Sequence, residues 1–244
     1  MRTRAEKVDG GWKINGTKTF ISNGPVADVA IIFAVTDPGK GFHGGVSSFL
    51  VDAGQQGLTT GKPFAKMGLR TSPIGELVFQ DMFVPDDAVL GKVGAGSAVF
   101  GTAMDWERAL LVAGHVGVME RLLETAVGYA RSRNQFNQSI GKFQAVSHKI
   151  ADMKVQLEAA RLLAYRAAWK LGNSRSASLD ASIGKLFVSE SLLQSALDCV
   201  QLHGGYGFMV EYEVERVLRD AVAGTIYSGT SEMQRNIISR WLGL

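Results

Sequence analysis

Glu107 is the one charged position on a helical face made by Phe100, Met104, Leu111, Val118 and Leu122. A carboxylate on such a face is expected to be at least partly buried. Burial without a partner disfavours the charged form of any carboxylate, the condition a general base working near neutral pH needs. The plainer alternative is that Glu107 pairs with a nearby arginine or lies at the edge of its face, since structural ion pairs perturb acids as well. Glu190 falls equally well on a stripe from Leu186 to Leu193, so periodicity alone does not separate the two readings.

Other chemistry finds less support. Gly91, Gly94 and Gly96 precede the helix that carries Glu107 and suggest a phosphate-binding helix start. A dinucleotide loop wants a third glycine where Val99 stands, and a βαβ setting that the chain lacks, so these glycines read as a flexible entry to the helix. His43, His115, His148 and His203 show no metal-ligand spacing, and no Gly-x-Ser-x-Gly elbow is present; no metal is expected. The single cysteine, Cys199, excludes an internal disulfide framework and a cysteine-based metal site.

The elements that must position Glu107 change character part-way along the chain. Residues 1–90 hold all five prolines and short β-rich runs at Ala30 to Val35, Val46 to Val51 and Glu76 to Val84, which read as an antiparallel sheet or partial barrel. Asn15-Gly16, between Gly11 to Ile14 and Thr17 to Ser22, predicts a two-residue hairpin turn. Residues 91–244 are helical. Val146, Ile150, Met153, Leu157, Ala160, Ala164, Ala167 and Leu171 make one apolar stripe at spacings of three and four. Leu179, Ile183, Leu186, Leu193, Leu197 and Val200 make a second, after a loop from Gly172 to Ser178. With helices at about 97–131 and 230–242, the expected fold is α+β: a partial antiparallel β-barrel followed by a four-helix bundle.

The 26 basic and 23 acidic residues are spread along the 244, giving a charge of +3 without a basic patch, so nucleic acid is not the expected partner. No segment has the ~18 to 20 consecutive apolar residues of a membrane span, and Met1 to Gly10 is too polar for a signal peptide. The expectation is a cytoplasmic protein.

Five stretches in order resemble the acyl-CoA dehydrogenase family. Trp12 to Gly24 resembles its flavin-side hairpin, Trp106 to Gly114 the start of its first bundle helix, and Arg131 to Phe136 its arginine-phenylalanine loop. Gln201 to Gly207 and Ile226 to Arg235 resemble its two late signatures. The resemblance implies a middle β-barrel and a C-terminal four-helix bundle with FAD between them. It implies that Phe20, Ile21 and Ser22 line the flavin, with Ser22 near N5, and that Arg133, Phe136, Gln201, Gly204 and Gly205 reach the FAD of a neighbouring subunit. Thr230 and Glu232 match cofactor contacts beside the substrate, and Tyr227, Ser228, Gly229 and Arg108 fall at its substrate side. Taken singly, each has a duller explanation, with Phe20 as barrel core and Gly204-Gly205 as a helix terminator.

The implied chemistry is α,β-dehydrogenation of an acyl thioester, with a carboxylate taking the α-proton and the β-hydrogen leaving as hydride. Most members place the base just before the Gly-Thr of the last signature, where this chain has Ser228. The isovaleryl-CoA and long-chain dehydrogenases take it from the first bundle helix, in a Glu-Arg pair matched by Glu107-Arg108. Trp106 to Gly114, Met119 to Arg121 and Gln144 to His148 are also similar to a branch that oxidises aminoacyl groups, prolyl among them, on carrier proteins. The implied partners are a thioester of coenzyme A or a carrier protein, an electron-transfer flavoprotein or oxygen as acceptor, and further copies in a homodimer or homotetramer. The family's N-terminal helical domain and its Thr-Glu-Pro-x-x-Gly-Ser-Asp stretch have no counterpart here. The expectation is a piece of a longer flavoenzyme or a truncated form, and the rival reading is a noncatalytic, self-assembling bundle.

Overall fold

The computed structural model describes residues 1–173 and 176–244. It divides into two compact units, Met1–Lys66 with Arg70–Ala103, and Met67–Leu69 with Met104–Leu244.

In the first unit, β1 (Arg4–Val8), β2 (Gly11–Ser22), β3 (Val29–Val35), β4 (Val46–Asp52), β5 (Leu58–Thr60) and β6 (Ile74–Pro85) form one sheet in the order β4-β3-β1-β2-β6-β5. The pairings are antiparallel except that of β1 with β3, which is parallel through Arg4 and Val35, so the sheet is mixed. The Trp12 ring on β2 lies 5.8 Å from that of Phe49 on β4, three strand steps away in the sheet order. Three steps across a flat sheet are about 14 Å, so the sheet curls strongly around the core those rings share.

The expected hairpin at Asn15-Gly16 is absent. The turn is Asp9-Gly10, where Val8 pairs with Gly11 and Gly10 takes a φ of 70°. Both dipeptides carry the same turn signal. Asn15-Gly16 instead sits inside the 12-residue strand β2, at a bulge opposite Gln80 and Asp81 on β6. The Asn15 amide donates to the Asp81 carboxylate at 3.1 Å, and its oxygen accepts the Asp81 backbone N–H at 2.8 Å. The bulge explains a change of parity along β6, where Leu77 and Phe79 point into the core before it and Met82 and Val84 after it. Gly16 has a φ of 139°, and a Cβ there would stand 2.8 Å from Thr3 Cα. Gly16→Ala is therefore expected to cost about 1–3 kcal/mol, read as a lower urea midpoint at unchanged slope.

The second unit packs the C-terminal part of α1 (Gly96–Ser132) with α2 (Gln144–Asn173), α3 (Ser178–His203), α4 (Val214–Gly224) and α5 (Ser231–Trp241). The α2 stripe is as expected: Met153, Leu157, Ala160, Ala164 and Ala167 are all buried. The α3 stripe is not. Its buried face runs through Ala181, Lys185, Val188, Leu192, Ala196 and Cys199, while Leu197 is 45% exposed. This helix is central, packed against α2, α4 and α5, and small side chains lie where neighbouring backbones approach. α4 was not expected, although Val214, Val217, Leu218 and Ala221 have helical spacing and pack into the same core. Of the expected loop from Gly172 to Ser178, residues 174 and 175 lie outside the described residues.

Candidate functional site

The buried stripe of α1 runs through Arg108, Ala109, Val112, His115, Met119 and Leu122, and Glu107 is exposed. The expectation of an at least partly buried Glu107 is thus corrected. α1 carries apolar residues on most sides, so the face through Phe100, Leu111 and Val118 looked continuous, yet Phe100 and Val118 are 38% and 37% exposed. What the stripe does bury is the neighbour of Glu107. Arg108 is 9% exposed, and burial lowers its pKa, an effect partly offset by the charges of Asp105 and Glu107.

Glu107 and Arg108 meet the turn between α4 and α5. The Ser228 hydroxyl donates to Glu107 Oε1, and Arg108 Nε donates to the Ser228 carbonyl at 3.0 Å. Lys185 Nζ donates to the Gly229 carbonyl at 2.8 Å, and Gln234 Nε2 lies 2.8 Å from that oxygen and 3.2 Å from the Ser228 carbonyl. Lys185 and Gln234 are both fully buried. Burial, then the charge of Arg108, pushes the Lys185 ammonium down to about 8. Tyr227 OH lies 2.6 Å from Nε2 of the buried His115, which burial and, secondarily, the Lys185 charge hold down to about 4, so the ring is neutral at pH 7. The turn is followed by the cap of α5, where Thr230 Oγ1 accepts the Met233 N–H at 3.4 Å. Glu232 is exposed and turns back to its own N–H and to Thr230, which lowers its pKa.

A second cluster lies at the far end of α3. Arg133, Gly204 and Gly205 line an open cleft of about 430 Å³, together with Tyr129, His203 and Tyr206. The Tyr129 and His203 rings stack at 4.1 Å, and the Arg133 guanidinium lies 5.4 Å from the centre of the Tyr206 ring. Gly204 takes a φ of 59° at the end of α3, so its terminator role and its place in the cleft coexist. Gln201 is exposed one turn earlier. Phe136 is 85% exposed at the tip of a small hairpin, β7 (Asn134–Gln135) and β8 (Gln138–Ser139), where Phe136 and Asn137 both have positive φ, 52° and 62°. The Phe136 ring meets its own chain edge-on at Phe143, 6.0 Å away, and is otherwise open to a partner.

Phe20, Ile21 and Ser22 lie in the first unit at the end of β2. The register shifts between Lys18 and Ile21, Phe20 takes a φ of 59°, and its ring is 75% exposed, so it is not barrel core. A bulge leaves backbone groups unpaired and re-aims a side chain. Among the described residues no group of three His, Cys, Asp or Glu is placed to hold a metal ion, and no helix is long and apolar enough to cross a membrane.

Residues 1–82 match the family model of the acyl-CoA dehydrogenase middle domain, and residues 94–243 that of the acyl-CoA dehydrogenase C-terminal domain. The chain belongs to the acyl-CoA dehydrogenase family. Within that family, the L-prolyl-(peptidyl-carrier protein) dehydrogenase of Serratia sp. (strain ATCC 39006) is 44% identical over 244 residues, covering all of this chain and 63% of that protein. The solved structure of PigA with FAD and proline matches at a TM-score of 0.97 and 44% identity, over 100% of this chain and 63% of that one. The prolyl acyl carrier protein oxidase AnaB matches at 0.97 and 43%, over 100% and 64%. The chain thus spans 63–64% of the length of these relatives. The sequence missed Lys185, Gln234 and His115. Only Lys185 left a faint signal, a lysine with no charged residue within four positions on either side; Gln234, between Glu232 and Arg235, reads as a surface residue.

Proposed function

We propose that this chain carries the reaction centre of a flavin-dependent acyl-thioester dehydrogenase, with Glu107 as the base that takes the α-proton. The observation that carries the reading is the meeting of the Glu107 carboxylate with the Tyr227–Thr230 turn. Glu107 is exposed to an incoming substrate there, yet one of its oxygens is tied to Ser228. Arg108 Nε is committed to the Ser228 carbonyl, so Arg108 serves the substrate by holding the turn. Tyr227, Ser228 and Gly229 then form the wall against which the acyl group lies.

The residues present fit FAD. In one unit the register shift between Lys18 and Ile21 leaves Thr19 and Phe20 outside the strand pairing and presents the exposed Phe20 ring, with Ile21 and Ser22 paired beside it. In the other, the cleft with Arg133, Gly204 and Gly205 offers a cation, aromatic faces and close backbone approach, which suit a nucleotide diphosphate. Phe136 and Gln201 adjoin Gln135 and Leu202 of its lining in sequence, and this cluster serves the FAD of a neighbouring subunit, while Thr230 and Glu232 follow the substrate turn. When bound, FAD supplies the acceptor for the hydride that leaves the β-carbon. The thioester is a carrier-protein-bound aminoacyl group of the prolyl type, a reading supported by the names of the relatives above. Electrons leave to an electron-transfer flavoprotein or to oxygen. The exposed apolar residues Val155, Leu162, Tyr165 and Trp169, along one face of α2, support assembly as a homodimer or homotetramer.

The test is to add FAD to the purified chain, follow retained absorbance near ~450 nm, and then add prolyl-carrier-protein thioester or acyl-CoA. Retained colour that bleaches with a thioester is expected. A folded chain that refuses FAD sinks the reading for this chain.

A further inference from the structure

Ser228 has a φ of 54°, a left-handed conformation that a serine adopts at a cost. Glycine would sit there freely, as Gly229 does next to it at 91°. Something therefore favours a side chain at this position. The backbone is held without it: Arg108, Lys185 and Gln234 supply four hydrogen bonds to the Ser228 and Gly229 carbonyls, and all three donors are buried. What remains for the serine is its hydroxyl, and that hydroxyl donates to Glu107 Oε1.

Glu107 needs such a contact. It is exposed on α1, so packing does not choose its rotamer, and a free glutamate side chain samples many. Glu107 and Arg108 are neighbours separated by about 100° around the helix. They grip the same residue, one at its hydroxyl and the other at its carbonyl. The carbonyl grip makes the turn rigid, and the hydroxyl passes that rigidity to the carboxylate.

We propose that Ser228 is a positioning residue for Glu107, its hydroxyl fixing the carboxylate by Oε1 and leaving Oε2 to receive the substrate proton. This rests on the reading of Glu107 as the base. In the step, the Cα–H bond breaks, its electrons remain with the substrate, and the proton goes to Oε2. The hydroxyl hydrogen stays on Ser228 throughout. A rotamer held in place before substrate arrives is worth a large factor in rate, because small misplacements of a reacting group are costly.

The test uses the full chain with Ser228→Gly, which relieves the backbone, and Ser228→Ala, which keeps a Cβ. The first readout needs no flavin: the infrared carboxylate stretch of chain labelled with 13C-glutamate, where Glu107→Gln identifies the Glu107 band. Both serine variants are expected to move and broaden that band by the same amount while the melting curve stays two-state. The second readout is thioester-dependent bleaching after FAD loading, expected to slow about ten- to a hundredfold at saturating thioester, a larger factor than any rise in half-saturation from the altered wall. An unmoved band, or a wild-type bleaching rate in both variants, overturns the proposal. If Glu107→Gln bleaches normally, the reading of Glu107 as base fails, and the infrared band still decides whether Ser228 holds its carboxylate.

Discussion

A chain carrying Glu107→Gln takes up FAD as the wild type does but bleaches with its thioester roughly a thousandfold more slowly, the middle of the range for loss of a general base. The change is nearly isosteric. Glu107 is exposed, and the amide oxygen of glutamine accepts the Ser228 hydroxyl as the carboxylate does, so stability is expected to stay within about 0.5 kcal/mol. What is lost is the ability to accept a proton. Stopped-flow absorbance with saturating thioester measures the rate, and thermal unfolding of the same sample checks the fold. A rate within a few-fold of wild type means that another group takes the proton. Glu190 is not the substitute, because its carboxylate is paired with Arg235 at 2.7 Å.

How far the sequence revealed this site depends on how each helix buries itself. α2 puts one face into the core and exposes Val155, Leu162 and Trp169 on another, yet its stripe at three-and-four spacing was legible because Ala160, Ala164 and Ala167 continue it where larger residues stop. α3 is covered on several sides, so the large apolar residues mark its flanks, and its deepest face is small residues and a lysine. On α1 the same difficulty led to Glu107 by a wrong argument: the residue resembles a family base, but the face expected to bury it is partly exposed. The hairpin was misplaced for a local reason. Asp9-Gly10 and Asn15-Gly16 give equal turn signals, and only the pairing of Asn15 with Asp81, far along the chain, decides that the second is a bulge. The donors behind the Ser228 turn were illegible for the same cause, since Lys185 reaches the Gly229 carbonyl across 44 residues of sequence.

Lys185 sets the second large effect, and its sign follows from its surroundings. The ammonium is fully buried beside Arg108, and burial pushes it from 10.5 down to about 8 in the folded chain. Between those two values the unfolded chain binds a proton that the folded chain has released, so stability rises with pH across that window. The gain is on the order of 3 kcal/mol if the whole window is crossed. Cys199, whose thiol burial raises from 9.0 to about 12, acts in the opposite direction from about pH 9, and Tyr129 and Tyr227, also raised, from about pH 10; both proteins share these groups, so the difference between them isolates Lys185. In Lys185→Met its share of the rise vanishes, while that of Lys18, which burial also lowers, stays. At pH 7 the methionine removes a buried charge, its repulsion with Arg108 and its smaller attraction to Glu190 and Glu232, while the Gly229 carbonyl keeps Gln234. The variant is therefore expected to be about 1–2 kcal/mol more stable than wild type at pH 7, in line with other replacements of buried charges by apolar residues. Urea titrations of both proteins at pH 7, 8 and 9.5 measure it. The same variant is expected to bleach more slowly, because the turn that carries Ser228 loses one of its four carbonyl bonds. A methionine variant that is less stable at pH 7 means that the hydrogen bond to Gly229 outweighs the cost of burying the ammonium. A more stable, slower variant means that this fold keeps a buried charge for the precision of its base.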